Sequence, residues 1–87
     1  MPDAENHHKA FRECITRATL IRKDLAKHPT EYFPEKVRGL LKAYFATIKE
    51  TIKQGELYLD KTDDFELGLE VAVTIENYKA LIIKLKR

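Results

Sequence analysis

Residues 65–85 read FELGLEVAVTIENYKALIIKL, the most apolar run in the chain. Placed at about 100° per residue, Phe65, Leu67, Val71, Ile75, Tyr78, Leu81, Ile82, Ile83 and Leu85 cover more than half of a helix's circumference, wider than burial against one neighbour requires. Leu69, Val73 and Ala80 fall outside even that arc. A helix patterned this way is expected to meet neighbours on two sides, one of them a second copy or a different partner. Its ends carry matching charge. Asp63 followed three residues on by Glu66 has the spacing of a capping box with Asp as the cap, and Asp63, Asp64 and Glu66 sit at the positive end of the helix dipole. Lys84, Lys86 and Arg87 sit at the negative end.

Upstream, GELYLDKTDD (residues 55–64) reads as a connector in which Leu57 and Leu59 alternate with polar residues and pack over the bundle end. Before it, Val37, Leu40, Leu41, Tyr44, Phe45, Ile48 and Ile52 form one stripe, with Lys36, Arg38, Lys42, Lys49, Glu50 and Lys53 on the solvated side. This predicts a second helix over residues 34–54, with Pro34 in its first turn, where the missing N–H is no loss, and Gly55 in the C′ position. Gly39 inside the stripe costs about 1 kcal/mol relative to Ala, so it marks either a close helix approach or a weak point.

The first helix is read from Phe11, Cys14, Ile15, Ala18, Ile21 and Leu25, with charged residues on its other faces, and is expected from about residue 6 to residue 27. Residues 1–8 are expected to fray, and Leu20 lies off the stripe. Pro29 disfavours helical backbone at His28 and stops the element, leaving His28 placed to cap its last carbonyls.

These three stretches predict an all-α, three-helix antiparallel bundle in a single domain, self-associating into a helical dimer through the third helix with the second. The residues expected at that contact are Leu69, Val73, Ile75, Ala80 and Leu81, with Tyr44 and Ile48. Size argues the same way. A chain of 87 residues buries a small core, and such domains are usually reinforced by disulfides, metal or oligomerisation. A single cysteine and the lack of a ligand cluster leave oligomerisation.

With 44% hydrophobic and 34% charged residues the chain is neither disordered nor membrane-embedded, its uninterrupted apolar runs, such as residues 80–83, falling far short of the roughly 20 residues a span needs. The opening MPDAENHHK lacks the apolar segment of a secretory signal, which with one unpaired cysteine predicts a cytoplasmic protein. Sixteen basic against 14 acidic residues is too balanced to predict specific nucleic-acid binding.

No constellation for chemistry can be read, so neither enzyme activity nor a metal or other cofactor is expected. Glu5-x-x-His8 has the spacing of di-iron bundle ligands, but those sites need two such motifs and further inward glutamates. Cys14 lies on an apolar stripe, where a thiol is an ordinary core residue. Asp60, Asp63 and Asp64 belong to a connector and cap, and the three glycines form no phosphate loop. Tyr32, Phe33, Tyr44, Phe45, Tyr58 and Tyr78 are read as core, with a small apolar ligand pocket between helices as the alternative. Arg12, Arg17, Arg22 and Lys23 are spread around the first helix and read as solvated surface.

CITRATLIRKDLAKHP (residues 14–29), VRGLLKAYFATIKETIKQGEL (37–57) and LDKTDDFELGLEVAVTIENYKALI (59–82) together resemble the C-terminal, ligand-binding half of TetR-family repressors. Gln54, Gly55, Glu56, Leu57 and Asp60 match that family's Gly-Glu-Leu-like turn and Asp-rich connector. The resemblance implies that the last two helices pair with their twofold mates, with Phe65, Leu69, Val73, Ile75 and Leu81 facing the dimer or the core. The family's helix-turn-helix has no counterpart in this sequence, so what is implied is a dimerising or sensing part without the usual DNA reader. Ala10-Phe11-Arg12, with Ile15 and Arg17, also resembles a degenerate opening of the LYR-motif proteins, small three-helix adaptors, although the Leu-Tyr-Arg itself is absent. The functional expectation is therefore a non-catalytic dimerisation or regulatory module with room for a small apolar ligand. The alternative is a helical adaptor or chaperone-like protein that docks on a larger partner.

Overall fold

The computed structural model describes residues 2–85. It is an all-α antiparallel three-helix bundle of α1 (Pro2–Lys27), α2 (Pro34–Lys61) and α3 (Phe65–Leu85). α2 is the middle of the molecule: α1 and α3 each run along it, and not along one another. The result is a slab of 48 × 23 × 16 Å whose long dimension is close to the length of α2, about 42 Å at 1.5 Å per residue. None of the helices is long and apolar enough to cross a membrane, among the described residues.

The core follows the predicted stripes except at Leu41, which is exposed. Phe11 and Ala18 of α1, Tyr44, Ile48, Ile52 and Tyr58 of α2, and Val71 and Ile75 of α3 form one buried cluster. Taking such a side chain out of water contributes about 1.5–3 kcal/mol, and truncating Phe11 to Ala should cost about 3–5 kcal/mol. Two buried threonines are satisfied within α2: Thr47 Oγ1 donates to the Ala43 carbonyl and Thr51 Oγ1 to that of Thr47, both at 2.8 Å. Cys14 is buried as well.

α2 does not end at Gln54. It continues two turns past Gly55 to Lys61, and no glycine among the described residues has a positive φ, so Gly55 is not a left-handed cap. Gly55 is instead a socket. A β-carbon there would lie 2.8 Å from Ile75 Cδ1 and 2.9 Å from Phe11 Cε1, so the missing side chain lets α1 and α3 close over α2 at one point. Gly39 is the other case, since a β-carbon there would meet nothing within 4 Å. It is the weak point of the two readings.

The longer α2 also accounts for the start of α1. Its last turns offer Tyr58 and Lys61 to residues that composition alone marked as frayed, and α1 is helical from Pro2 with Ala4 buried. His7 Nδ1 bonds Gln54 Oε1 at 2.8 Å, the His8 ring lies 4.9 Å from that of Tyr58, and Lys61 reaches Asp3 at 3.7 Å.

The expected ten-residue second connector is therefore only residues 62–64. Its cap is Asp64 and not Asp63: Asp64 Oδ1 accepts from the Leu67 N–H at 3.0 Å, while Thr62 Oγ1 accepts from the Asp64 N–H at 3.1 Å. The first connector ends at Pro34 as expected, but Tyr32 and Phe33, read as core, are exposed in it. Pro34 opens α2. His28 Nδ1–H donates to the Asp24 carbonyl at 2.8 Å, and its ring stands edge-on to Phe33.

Candidate functional site

On α3 the residues that face α2 are Gly68, Val71 and Ile75, all buried, with Leu67, Tyr78, Leu81 and Ile82 half-buried beside them. Roughly a third of a turn away runs a second apolar line. Phe65, Leu69, Val73 and Ile83 on it are 82%, 57%, 53% and 57% exposed, and Ala80 is exposed between the last two. From Leu69 onward the line steps by 4, 3, 4 and 3 residues through Val73, Glu76, Ala80 and Ile83, the spacing of a seam against another helix. Glu76 alone interrupts it. Lys79 Nζ stands 4.0 Å from the Glu76 carboxylate and 3.8 Å from that of Glu56 on α2, so the charge at the seam has an intramolecular partner. Acids lie beside the N-terminal half of the seam, at Glu66 and Glu70, and a base beside its C-terminal half, at Lys84.

The seven residues expected at an interaction surface divide between two environments. Leu69, Val73 and Ala80 stand on the outer line. Ile75, Tyr44 and Ile48 lie in the chain's own core, and Leu81 is packed partly against it. Helix periodicity explains the division, since Ile75 lies on the Val71 side of α3, away from Leu69 and Val73. Phe65 and Ile83 belong to the outer line although the wide arc includes them, because both sit at its edge on the wheel. Leu20 of α1 is also exposed, on a different element.

Phe11 of α1 and Ile75 of α3 both cover Gly55, and on either side of that point a groove lies between the two helices. One, near the second connector, is polar and ionic, lined by Glu5, His8, Arg12, Tyr58, Lys61 and Asp64 among others. The other, of about 360 Å³, has Tyr44 as its floor, with Ala18, Thr19 and Arg22 from α1 and Asn77, Tyr78, Leu81 and Lys84 from α3. Burial pushes the Tyr78 hydroxyl above the usual phenol range, with Tyr44 adding to the rise and Arg22 opposing it. No group of three or more His, Cys, Asp or Glu side chains suited to a metal ion occurs among the described residues.

No family model matches the chain, and neither does any curated protein or solved structure. The geometry of the outer line and of the grooves is thus what bears on function. Tyr58, Tyr44 and Tyr78, three of the aromatics considered for a pocket, contribute to these grooves, whereas Tyr32 and Phe33 of the first connector are exposed. Arg22, grouped on sequence with solvated surface, lines the second groove. Its position one turn beyond Ala18, a core residue, was the available signal.

Proposed function

We propose that this chain is a non-catalytic, self-associating helical module in which α3 pairs with α3 of a second copy through Leu69, Val73, Ala80 and Ile83, flanked by Phe65. The observation that carries the proposal is the exposure of four large apolar side chains in one line on the side of α3 turned away from its core contact. Fully burying such a side chain contributes about 1.5–3 kcal/mol, and continuous apolar lines of this kind mark contact surfaces.

Charge argues for a second copy in antiparallel orientation. With the twofold axis near Glu76, Leu69 comes opposite Ile83 and Val73 opposite Ala80. The Glu66 and Glu70 end then meets the partner's Lys84 end, and the helix dipoles oppose. A parallel pair would set acids against acids and bases against bases. The resemblance to the dimerising half of TetR-family regulators implies pairing of the last two helices, of which this arrangement keeps α3 alone, and a regulatory role would follow from holding two copies together.

Size-exclusion chromatography with light scattering tests it. The expected mass is that of two chains at high micromolar concentration, falling to one chain in Leu69→Lys/Val73→Glu with helical circular dichroism unchanged. A wild-type chain that stays monomeric there overturns the proposal and leaves the adaptor reading. Glu76→Leu separates the two further, because removing a charge from the seam should tighten pairing between copies.

A further inference from the structure

The groove between the C-terminal halves of α1 and α3 carries a separate inference, although Ala80 and Lys84 belong both to it and to the proposed pairing face. Tyr44 is only 6% exposed, yet its hydroxyl has no hydrogen-bond partner among the described residues. No side-chain oxygen or nitrogen there is both sealed from solvent and unpartnered, so this hydroxyl opens onto the groove it floors. Tyr78, Asn77 and Thr19 line the groove with it, the Thr19 hydroxyl donating to the Ile15 carbonyl at 3.0 Å, and Arg22 from α1 and Lys84 from α3 line opposite walls. Neither cation has an ion pair among the described residues, although the chain holds 14 carboxylates. Between these polar groups lie the apolar surfaces of Ala18, Ala80 and Leu81.

We propose that this groove binds a small organic anion, a carboxylate with an apolar body, between Arg22 and Lys84 over Tyr44. Each phenol carries an O–H that can donate, which suits an acceptor-only carboxylate. Arg22 supplies a planar fork of donors and Lys84 a point charge from the facing helix. The apolar body rests on Ala18, Ala80 and Leu81, and the groove's volume of about 360 Å³ lies at the small end of the range of small-ligand sites. A neutral ligand of the same shape leaves both cations without a counter-charge, and inorganic phosphate leaves the apolar surface wet.

The test is titration with benzoate, benzamide and inorganic phosphate, followed through backbone amide shifts, on the wild type and on Leu69→Lys/Val73→Glu, so that the result does not depend on self-association. Benzoate should shift the amides of Thr19, Arg22, Tyr78 and Leu81 saturably in Leu69→Lys/Val73→Glu, and in the wild type no more tightly, since pairing between copies engages Lys84. Benzamide should bind more weakly by about tenfold, as should benzoate to Arg22→Gln/Lys84→Gln, the loss expected for charge-assisted hydrogen bonds. Tyr44→Phe, which keeps the ring's packing, should weaken benzoate while leaving the amide spectrum folded. Absence of saturation, equal binding of benzamide, or indifference to the double charge removal overturns the proposal. Phosphate binding as tightly as benzoate overturns the role of the apolar body.

Discussion

Replacing Gly55 by Ala puts the three-helix junction under direct test, and Gly39→Ala supplies its internal reference. In a helix interior, Gly to Ala stabilises by about 1 kcal/mol through backbone entropy, much of it acting on the unfolded chain. That gain is common to both positions. At Gly39 nothing lies within 4 Å of the new methyl, so the full stabilisation of about 1 kcal/mol is expected. At Gly55 the methyl arrives 2.8 Å from Ile75 Cδ1, 2.9 Å from Phe11 Cε1 and 3.0 Å from Ile75 Cγ1. Ile75 Cδ1 ends a side chain and can swing. The rigid Phe11 ring and Ile75 Cγ1 cannot give in the same way, and both residues are only 3% exposed. Overpacking of this kind costs about 1–3 kcal/mol, so Gly55→Ala should be neutral to destabilising by about 2 kcal/mol. The two variants should then differ by about 1–3 kcal/mol, the packing cost alone. Urea unfolding followed by circular dichroism at matched protein concentration measures it; with an m-value of about 1 kcal/mol/M the midpoints should separate by about 1–3 M. If Gly55→Ala gains as much as Gly39→Ala, to within about 0.5 kcal/mol, Phe11 and Ile75 do not close over α2 and the junction is refuted.

Asp64→Ala should cost about 1 kcal/mol by removing the bond to the Leu67 N–H, and Asp63→Ala less than about 0.5 kcal/mol; chemical denaturation of both distinguishes the caps. Burial raises the Tyr78 hydroxyl above its ordinary value of 10.0, so the folded state holds that proton more tightly than the unfolded chain. The resulting stability is fully present below pH 10.0 and is lost as pH rises through the higher folded value, so the alkaline decline should be shallower in Tyr78→Phe than in the wild type. Leu69→Lys alone should leave the thermal midpoint of the isolated monomer within the range of ordinary surface substitutions, because Leu69 makes little use of its own core.

Element type and core faces were legible because each stripe keeps one period: Phe11 and Ala18, Ile48 and Ile52, and Val71 and Ile75 fall inward as spaced. What was misread turns on one residue. Gly55 after a stripe resembles a stop, but it lies on the stripe itself, one turn beyond Ile52 and one before Tyr58 and Leu59, where a gap receives other helices' side chains. Composition does not separate a socket from a cap. The same misreading shortened α1, since the burial of Ala4 depends on the turn of α2 that carries Tyr58 and Lys61. The broad apolar arc of α3 correctly implied two environments, although its own core took Ile75 and left Phe65 and Ile83 outside. The anion groove was not legible, because it requires Arg22, Tyr44 and Lys84 to converge from three helices.

The slab order has a kinetic meaning. Every helix contact joins neighbours in sequence, α1 with α2 and α2 with α3, so no loop longer than one hairpin has to close before packing is rewarded. Folding on the microsecond to millisecond scale of low-contact-order helical proteins is expected. The two hairpins share only α2, and α3 buries three residues, one of them Gly68, where α1 buries Ala4, Phe11, Cys14 and Ala18. The amides of α3 should therefore exchange with solvent through a partial opening that leaves the first hairpin closed, and a second chain that held α3 would slow this exchange without touching α1.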